Sequence, residues 1–484
     1  MDDDEYSCKK ERDDRMTRDT TMDTGAADDR LTLRMFISQL RPLALPIAFQ
    51  QFVLVLSNAC DVFMLASADQ NALSAVSLAA QFQFVFDLFL LAFTIGASTL
   101  IAQYWGRGDA GAVGRVISFV MGYTVVLSVM FVLLAAAIPM MLMRVTTNDP
   151  LLIDLGAQYL SAGAPAFLLI GISQINLCLF KNTGRASTGT LISVAGVFVH
   201  IMASAMFIFG LLGLPRLGVM GAAISTLISR GVECAWSMIV ATSDARRRRA
   251  MPSVHWRYMR QPDHALMRDY WRYTLPVLGN EIAWGGGFAT YTIILGHLGS
   301  AAVAANSVAN IVKDLLVCFT AGLGSGGGIL VGGMMGAGML DRARKAGGWL
   351  VRSAFVAGVA IGVVILAIRP LVLHWSQLDA RANAYLSPML IVCAYYVIGK
   401  AVNSTTVGGL FPAGGDARFG LICDVVTIWL IVVPLGLCAA FVWHWPVMAV
   451  YVLLSADEFI KMPAVFAHYR TYRWLNNVTH DEPQ

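Results

Sequence analysis

Charge is scarce in this sequence. Charged residues make up 14% of its 484 positions, and the mean hydropathy is +0.63. A soluble domain carries about 25% charged residues, so a water-surrounded globule is excluded. Cysteine is also sparse. Its 8 copies are scattered, mostly inside apolar runs, and no CxxC pair occurs. That excludes a disulfide framework and leaves small apolar packing residues. No His/Cys set has metal-ligand spacing. The run Gly324-Ser325-Gly326-Gly327-Gly328 is followed by no Gly-Lys-Ser/Thr, so it is no phosphate loop, and no ATPase motif occurs elsewhere. Any uphill work must draw on an ion gradient or on another protein. The first thirty residues lack apolar runs and are rich in Asp, Arg and Thr. No signal peptide fits there, and Met16 and Met22 are alternative starts to Met1.

What the chain does have is a sequence that runs twice. A shift of 230 positions lays Leu45-Pro46 on Leu275-Pro276. The same register pairs Ala72 with Ala302, Phe89 with Phe319, Gly96 with Gly326, Gly106 with Gly336 and Gly108 with Gly338. One extra residue brings Gly184 onto Gly415. Proline and glycine matches carry most weight, because apolar coincidences are common. Two similar apolar halves point to a transporter built from internal repeats.

A bilayer span takes about 20 apolar residues. Twelve spans are expected, with cores at 43–67, 77–104, 116–143, 158–180, 188–212, 217–241, 274–298, 302–335, 346–375, 384–411, 418–443 and 446–468. Lys and Arg concentrate in the even-numbered loops, above all in Arg246 to Arg249. Both termini and the central loop are therefore expected in the cytoplasm. The Arg run is a positive-inside anchor rather than a nucleic-acid site. Six spans per half make the repeats parallel, related by an axis along the membrane normal. The expected layout is a disordered cytoplasmic tail at 1–40, a first lobe at 41–241, a basic linker at 242–272, a second lobe at 273–470 and a cytoplasmic tail at 471–484.

Some residues stand out before any resemblance is considered. A charge at the centre of a span costs about 2.5–3.5 kcal/mol on insertion scales, so it is a functional candidate. Asp61 lies in the first span with no Lys or Arg nearby and can bind a proton or Na⁺. Glu281, with Asn280 beside it, sits early in the seventh span next to Trp284 and three glycines. Lys313-Asp314 is a charged pair inside the eighth span, where neighbouring side chains diverge by about 100°. Lys313 is a candidate to neutralise Glu281, and Asp314 a candidate cation ligand. His200 and Ser204 are one turn apart in the fifth span, Asp87 lies in the second, and Lys400 and Asn403 lie in the tenth. Asp424 and Asp457-Glu458 are expected at helix ends in structural roles. Phe82, Phe84, Phe86, Phe89, Trp284, Tyr291, Tyr395 and Tyr396 could box a cation, though most are expected to pack or face lipid.

Several local patterns fall in a familiar order: Pro46 before Asp61-Val62-Phe63-Met64; Ala72-Leu73-Ser74-Ala75-Val76-Ser77 running to Gln103-Tyr104-Trp105-Gly106-Arg107-Gly108-Asp109; Lys181-Asn182-Thr183-Gly184-Arg185; Gly218-Val219-Met220-Gly221; Ala413-Gly414-Gly415-Asp416; and a tail with Asp457-Glu458 and Lys461. On twelve spans in two repeats, they make the chain resemble the MATE family, the multidrug and toxic compound extrusion transporters. The resemblance runs from Leu43 to about Val478. It implies an all-α integral membrane protein whose two six-helix bundles form a V. It implies a secondary antiporter, not an enzyme, that exports amphipathic or cationic small molecules by alternating access. No cofactor is implied, only a coupling ion, H⁺ or Na⁺. Small-molecule substrates and membrane lipid are the expected partners, the inner membrane the expected location, and a monomer the expected working unit.

The resemblance also implies roles. An Asp at the place of Asp61 couples cations in many members, and Asn or Asp at the places of His200 and Ser204 serves the same site. A Glu at the place of Glu281 serves a second-lobe cation or substrate site in some members. Asn403 stands near where others carry an acid, a departure from the pattern. A lipid-linked oligosaccharide flippase of the same superfamily is the alternative within transport, and a membrane-embedded enzyme or receptor the alternative outside it.

Overall fold

In lipid a backbone must satisfy its polar groups internally, which leaves helices as the solution for long apolar runs. The computed structural model describes residues 31–213, 215–247, 252, 254–260, 263–376 and 378–479. Residues 1–30 with the alternative starts, Arg248 and Arg249, and the tail beyond 479 lie outside the described residues. Among those described there is no strand. The first half comprises α1 (Leu33–Ala68), α2 (Gln70–Arg107), α3 (Ala110–Ala137), α4 (Pro150–Gly163 continued by Pro165–Asn182), α5 (Ala186–Phe209) and α6 (Val219–Arg247). The second comprises α7 (His264–His297), α8 (Ser300–Gly336), α9 (Leu340–Trp375), α10 (Ala380–Ala413), α11 (Ala417–Val442) and α12 (Val447–Leu454 continued by Asp457–Arg470).

All twelve expected spans fall on these helices. Eight helices are individually long and apolar enough to cross a membrane, and α4 makes a ninth span as a pair bent by 50°. Among the described residues the remaining three are not apolar enough to pass as single spans. α6 carries Arg230 and Glu233, α7 begins with a polar turn and carries Glu281, and α12 breaks at Ser455-Ala456.

The repeat is physical. Helices α2, α3 and α4 begin at residues 70, 110 and 150, and α8, α9 and α10 at 300, 340 and 380. Asp149 and Asp379 cap α4 and α10 alike, accepting from Leu151 N at 2.9 Å and Ala382 N at 2.6 Å. Gly108 and Gly338 close equivalent turns in the left-handed region, at φ 87° and 75°.

The halves pack through α1 and α2 against α7 and α8. Where α2 crosses α8, Gly106 meets the backbone of Gly333, and Gly336 meets that of Gln103, so closely that a Cβ at either glycine would collide. Gly322 and Gly326 admit Ala44 of α1 in the same way. The α2–α8 crossing lies at the end that bears the Lys/Arg-rich loops, here called the basic end. The halves are closed there.

Two boundaries differ from expectation. Residues 33–40 belong to α1, because Thr32 caps the helix and Phe36 and Leu40 are buried at 0% and 6% exposure. The linker is shorter than 242–272: α6 runs to Arg247, Asp263 caps α7, and Ser118 of α3 accepts from His255 N at 2.9 Å. The C-terminal segment packs on the helices. Trp474 is fully buried and stacks on Tyr469, with ring centroids 5.6 Å apart.

Candidate functional site

The first-half site is built on α1, α5 and α6. Asp61 Oδ2 lies 2.8 Å from His200 Nε2, and Ser229 Oγ of α6 stands 3.5 Å from the other ring nitrogen. The Asp61 side chain is 31% exposed and the His200 ring 14%, so the pair is shielded yet reachable. A carboxylate hydrogen-bonded to imidazole can hold a proton between two groups and release it when its surroundings change. Ser204, one turn along α5, is fully buried and its hydroxyl has no partner among the described residues. No hydrogen bond joins it to Asp61 or His200. Asp87, also expected here, instead accepts from Gln83 of its own helix at 2.9 Å.

A second polar chain lies beside the pair. Gln50 of α1 donates to Ser193 Oγ at 2.8 Å, Ser193 donates to Glu233 Oε1 at 3.1 Å, and Arg230 holds Glu233 Oε2 at 2.7 Å. Glu233 is 1% exposed. Burial of such a charge is tolerated because a guanidinium and a hydroxyl both face it. Arg230 is also within electrostatic reach of Asp61 and Asp87.

The second-half site is a denser network around the break in α12. Lys461 Nζ lies 2.9 Å from Asp424 Oδ1 and 3.2 Å from Glu458 Oε2. Lys400 Nζ lies 3.3 Å from Glu458 Oε1, and Asn403 donates to Glu458 Oε2 at 2.8 Å. The Asn280 amide, oriented by its neighbours, donates to Gly420 O at 3.1 Å and Asp424 Oδ2 at 3.0 Å. Glu281 is half-buried within electrostatic reach of Lys400 and Asp424. Asp424, Asp457 and Glu458, expected at helix ends, are buried at 5%, 3% and 0% exposure: Asp424 faces Lys461 from within α11, and the break in α12 turns Asp457 and Glu458 inward.

Lys313 does not neutralise Glu281. It donates to Asn310 Oδ1 at 2.8 Å and lies over the rings of Phe288 and Tyr396, at 5.4 and 5.2 Å. Its long stem also brings Nζ to 3.9 Å from Asp314, a pairing that adjacent helical positions do not suggest. Asp314 itself is 56% exposed. Trp284, Phe288, Tyr291, Lys313, Tyr396 and Asp457 line a narrow cavity of about 50 Å³. Phe82, Phe86 and Phe89 pack against Phe131 in the first-half core, and Tyr395 is exposed. No metal-binding group of His, Cys, Asp and Glu occurs among the described residues.

A family model described as MatE matches residues 46–206 and 276–438, once in each half. The chain belongs to the MATE family. It is a multi-pass membrane transporter with the twelve-helix MATE fold, not an enzyme. A probable multidrug resistance protein NorM of Agrobacterium fabrum is 24% identical over 84% of this chain and 86% of that protein. The multidrug resistance protein MdtK of Edwardsiella ictaluri is 24% identical over 81% and 85%. An outward-facing multidrug resistance MATE family transporter superposes with a TM-score of 0.81 at 18% identity, covering 90% of this chain and 95% of that one.

Within this MATE transporter, sequence reasoning passed over Arg230, Glu233 and Gln50. The signal for the first two was present: both are charges inside the expected sixth span, three residues apart and thus on one helix face. Gln50 carries no charge, and only the approach of α5 to α1 reveals its role.

Proposed function

We propose that this MATE transporter exports amphipathic small molecules in exchange for protons, moving them from the basic, cytoplasmic end to the opposite side by alternating access. The Asp61–His200 contact at 2.8 Å carries the reading. A hard cation such as Na⁺ prefers a shell of oxygens. Here the imidazole occupies one side of the carboxylate, and the Ser204 hydroxyl is not joined to the pair. A proton needs only this dyad. The names of the relatives, multidrug resistance proteins, support drug-like substrates. The Lys/Arg distribution supports an inner-membrane protein with both termini in the cytoplasm. The protein acts as a monomer, because each half supplies its own polar network.

Purified protein in liposomes tests the proposal with a cationic dye such as ethidium. An imposed pH gradient should drive uphill dye movement, and a Na⁺ gradient at equal pH should not. Asp61→Asn should insert normally and still bind dye, but its gradient-driven transport should fall to background. Transport driven by Na⁺ alone, or wild-type transport by Asp61→Asn, would remove the dyad from the mechanism.

A further inference from the structure

Between the halves, near the basic end, α1, α2 and α4 meet α8 and α10 around a cavity of about 230 Å³. Its lining mixes apolar groups such as Leu54 and Ile329 with Gln50, Gln51, Ser325 and Lys181. Lys181 is the one charged side chain among the described residues that line it, and no carboxylate does. It ends α4, partly buried, and among the described residues it makes no hydrogen bond or ion pair. Glu233, the acidic group that influences it, is already held by Arg230 and Ser193. Gln50, 2% exposed, spends its amide nitrogen on Ser193, and its Oε1 has no partner. The cavity thus presents an ammonium that has no ion-pair partner among the described residues.

Resting on the export reading above, we infer that this cavity binds the anionic end of an amphipathic organic acid, with Lys181 as counter-ion. A shielded ammonium is costly while unpaired, and so is a carboxylate leaving water. Bringing the two together offsets both costs. The apolar walls would cover a ring or short chain. Gly328 and Pro412 on one side and Lys181 on the other belong to different halves. The site is therefore complete only while the halves meet at the basic end.

The test is equilibrium dialysis of 2-naphthoate against the full chain in neutral-lipid nanodiscs, with empty nanodiscs subtracted. Its neutral counterpart, 2-naphthylmethanol, is measured in parallel. Wild-type protein should bind naphthoate at least tenfold more tightly than the alcohol. Lys181→Gln should erase that preference, and Lys181→Arg should retain most of it. Because Lys181 has no partner to lose, both variants should keep the wild-type unfolding temperature. Equal binding of acid and alcohol by wild type would overturn the inference whether or not a variant folds, and so would an unchanged preference in Lys181→Gln. Repeating the dialysis in nanodiscs containing phosphatidylglycerol tells a soluble acid from a lipid headgroup. Retained naphthoate binding supports the soluble acid, and its loss assigns the ammonium to lipid and overturns the assignment made here. Binding needs no gradient, so the two readings fail separately. Dye export without naphthoate binding sinks only this site, and Lys181-dependent binding without export sinks only the efflux reading.

Discussion

Single side chains in this transporter divide by whether their charge is already paired. Lys461 faces Asp424 and Glu458 at 2.9 and 3.2 Å with 4% of its side chain exposed. Removing one partner of a buried ion pair costs about 3–5 kcal/mol, because the remaining charge is stranded. Lys461→Met should therefore lower the unfolding temperature of detergent-solubilised protein sharply. Lys400→Met should lower it less, since Lys400 is 22% exposed and Glu458 keeps Lys461. Equal losses would mean that Lys461 is not the keystone of the network. Glu281 behaves differently, because no hydrogen bond or ion pair among the described residues holds it. Glu281→Gln should leave membrane abundance near wild type while export falls several-fold. A collapse in abundance instead would make Glu281 a structural residue.

At the scale of elements, the C-terminal segment is the unexpected part. It leaves α12, buries Trp474 against Gly347 and Gly414 of the second half, and brings Val478 into a core cluster that Ile117 of α3 shares with Tyr270 of α7. Gln103 of α2 fastens it, donating to Ala413 O at 2.7 Å and Asn476 O at 3.1 Å and accepting from Val478 N at 2.8 Å. One side chain thus ties α2, the end of α10 and the tail together at the closed end. Truncating a buried Trp costs about 3–5 kcal/mol. Trp474→Ala should release the segment, so hydrogen exchange at residues 474–479 should rise by orders of magnitude while α2 and α8 stay protected. Unchanged protection at Val478 would show that Gln103 alone retains the tail.

At the scale of the whole molecule, the basic loops and the closed α2–α8 crossing lie at the same end. If that end is cytoplasmic, a single cysteine at position 70 in a cysteine-depleted background should label from outside intact cells, and one at position 247 should not. The reverse pattern would invert the molecule in the membrane. The repeat, the twelve helices and the family were legible in the chain, because the spacing of apolar runs and of turn glycines is a local property. Gly108, Gly338, Gly184 and Gly415 fall where left-handed turns need them, at φ 87°, 75°, 77° and 78°. Asp61 and His200 were legible as separate candidates, since charge and imidazole are conspicuous in an apolar helix.

Their pairing was not legible, because 139 residues separate them and only the packing of α5 on α1 brings Nε2 to Oδ2. The same holds for Glu458, which its helix alone places at an end and the break in α12 turns into the core. Sequence by itself determined the membrane environment, the duplication and the number and order of the helices, since these follow from hydropathy and backbone chemistry read a few residues at a time. Tertiary structure decided which charges are paired and which remain unpaired. That depends on distances between helices far apart in the chain, and it separates Lys461, locked between two carboxylates, from Lys181, which lines a cavity and has no partner among the described residues.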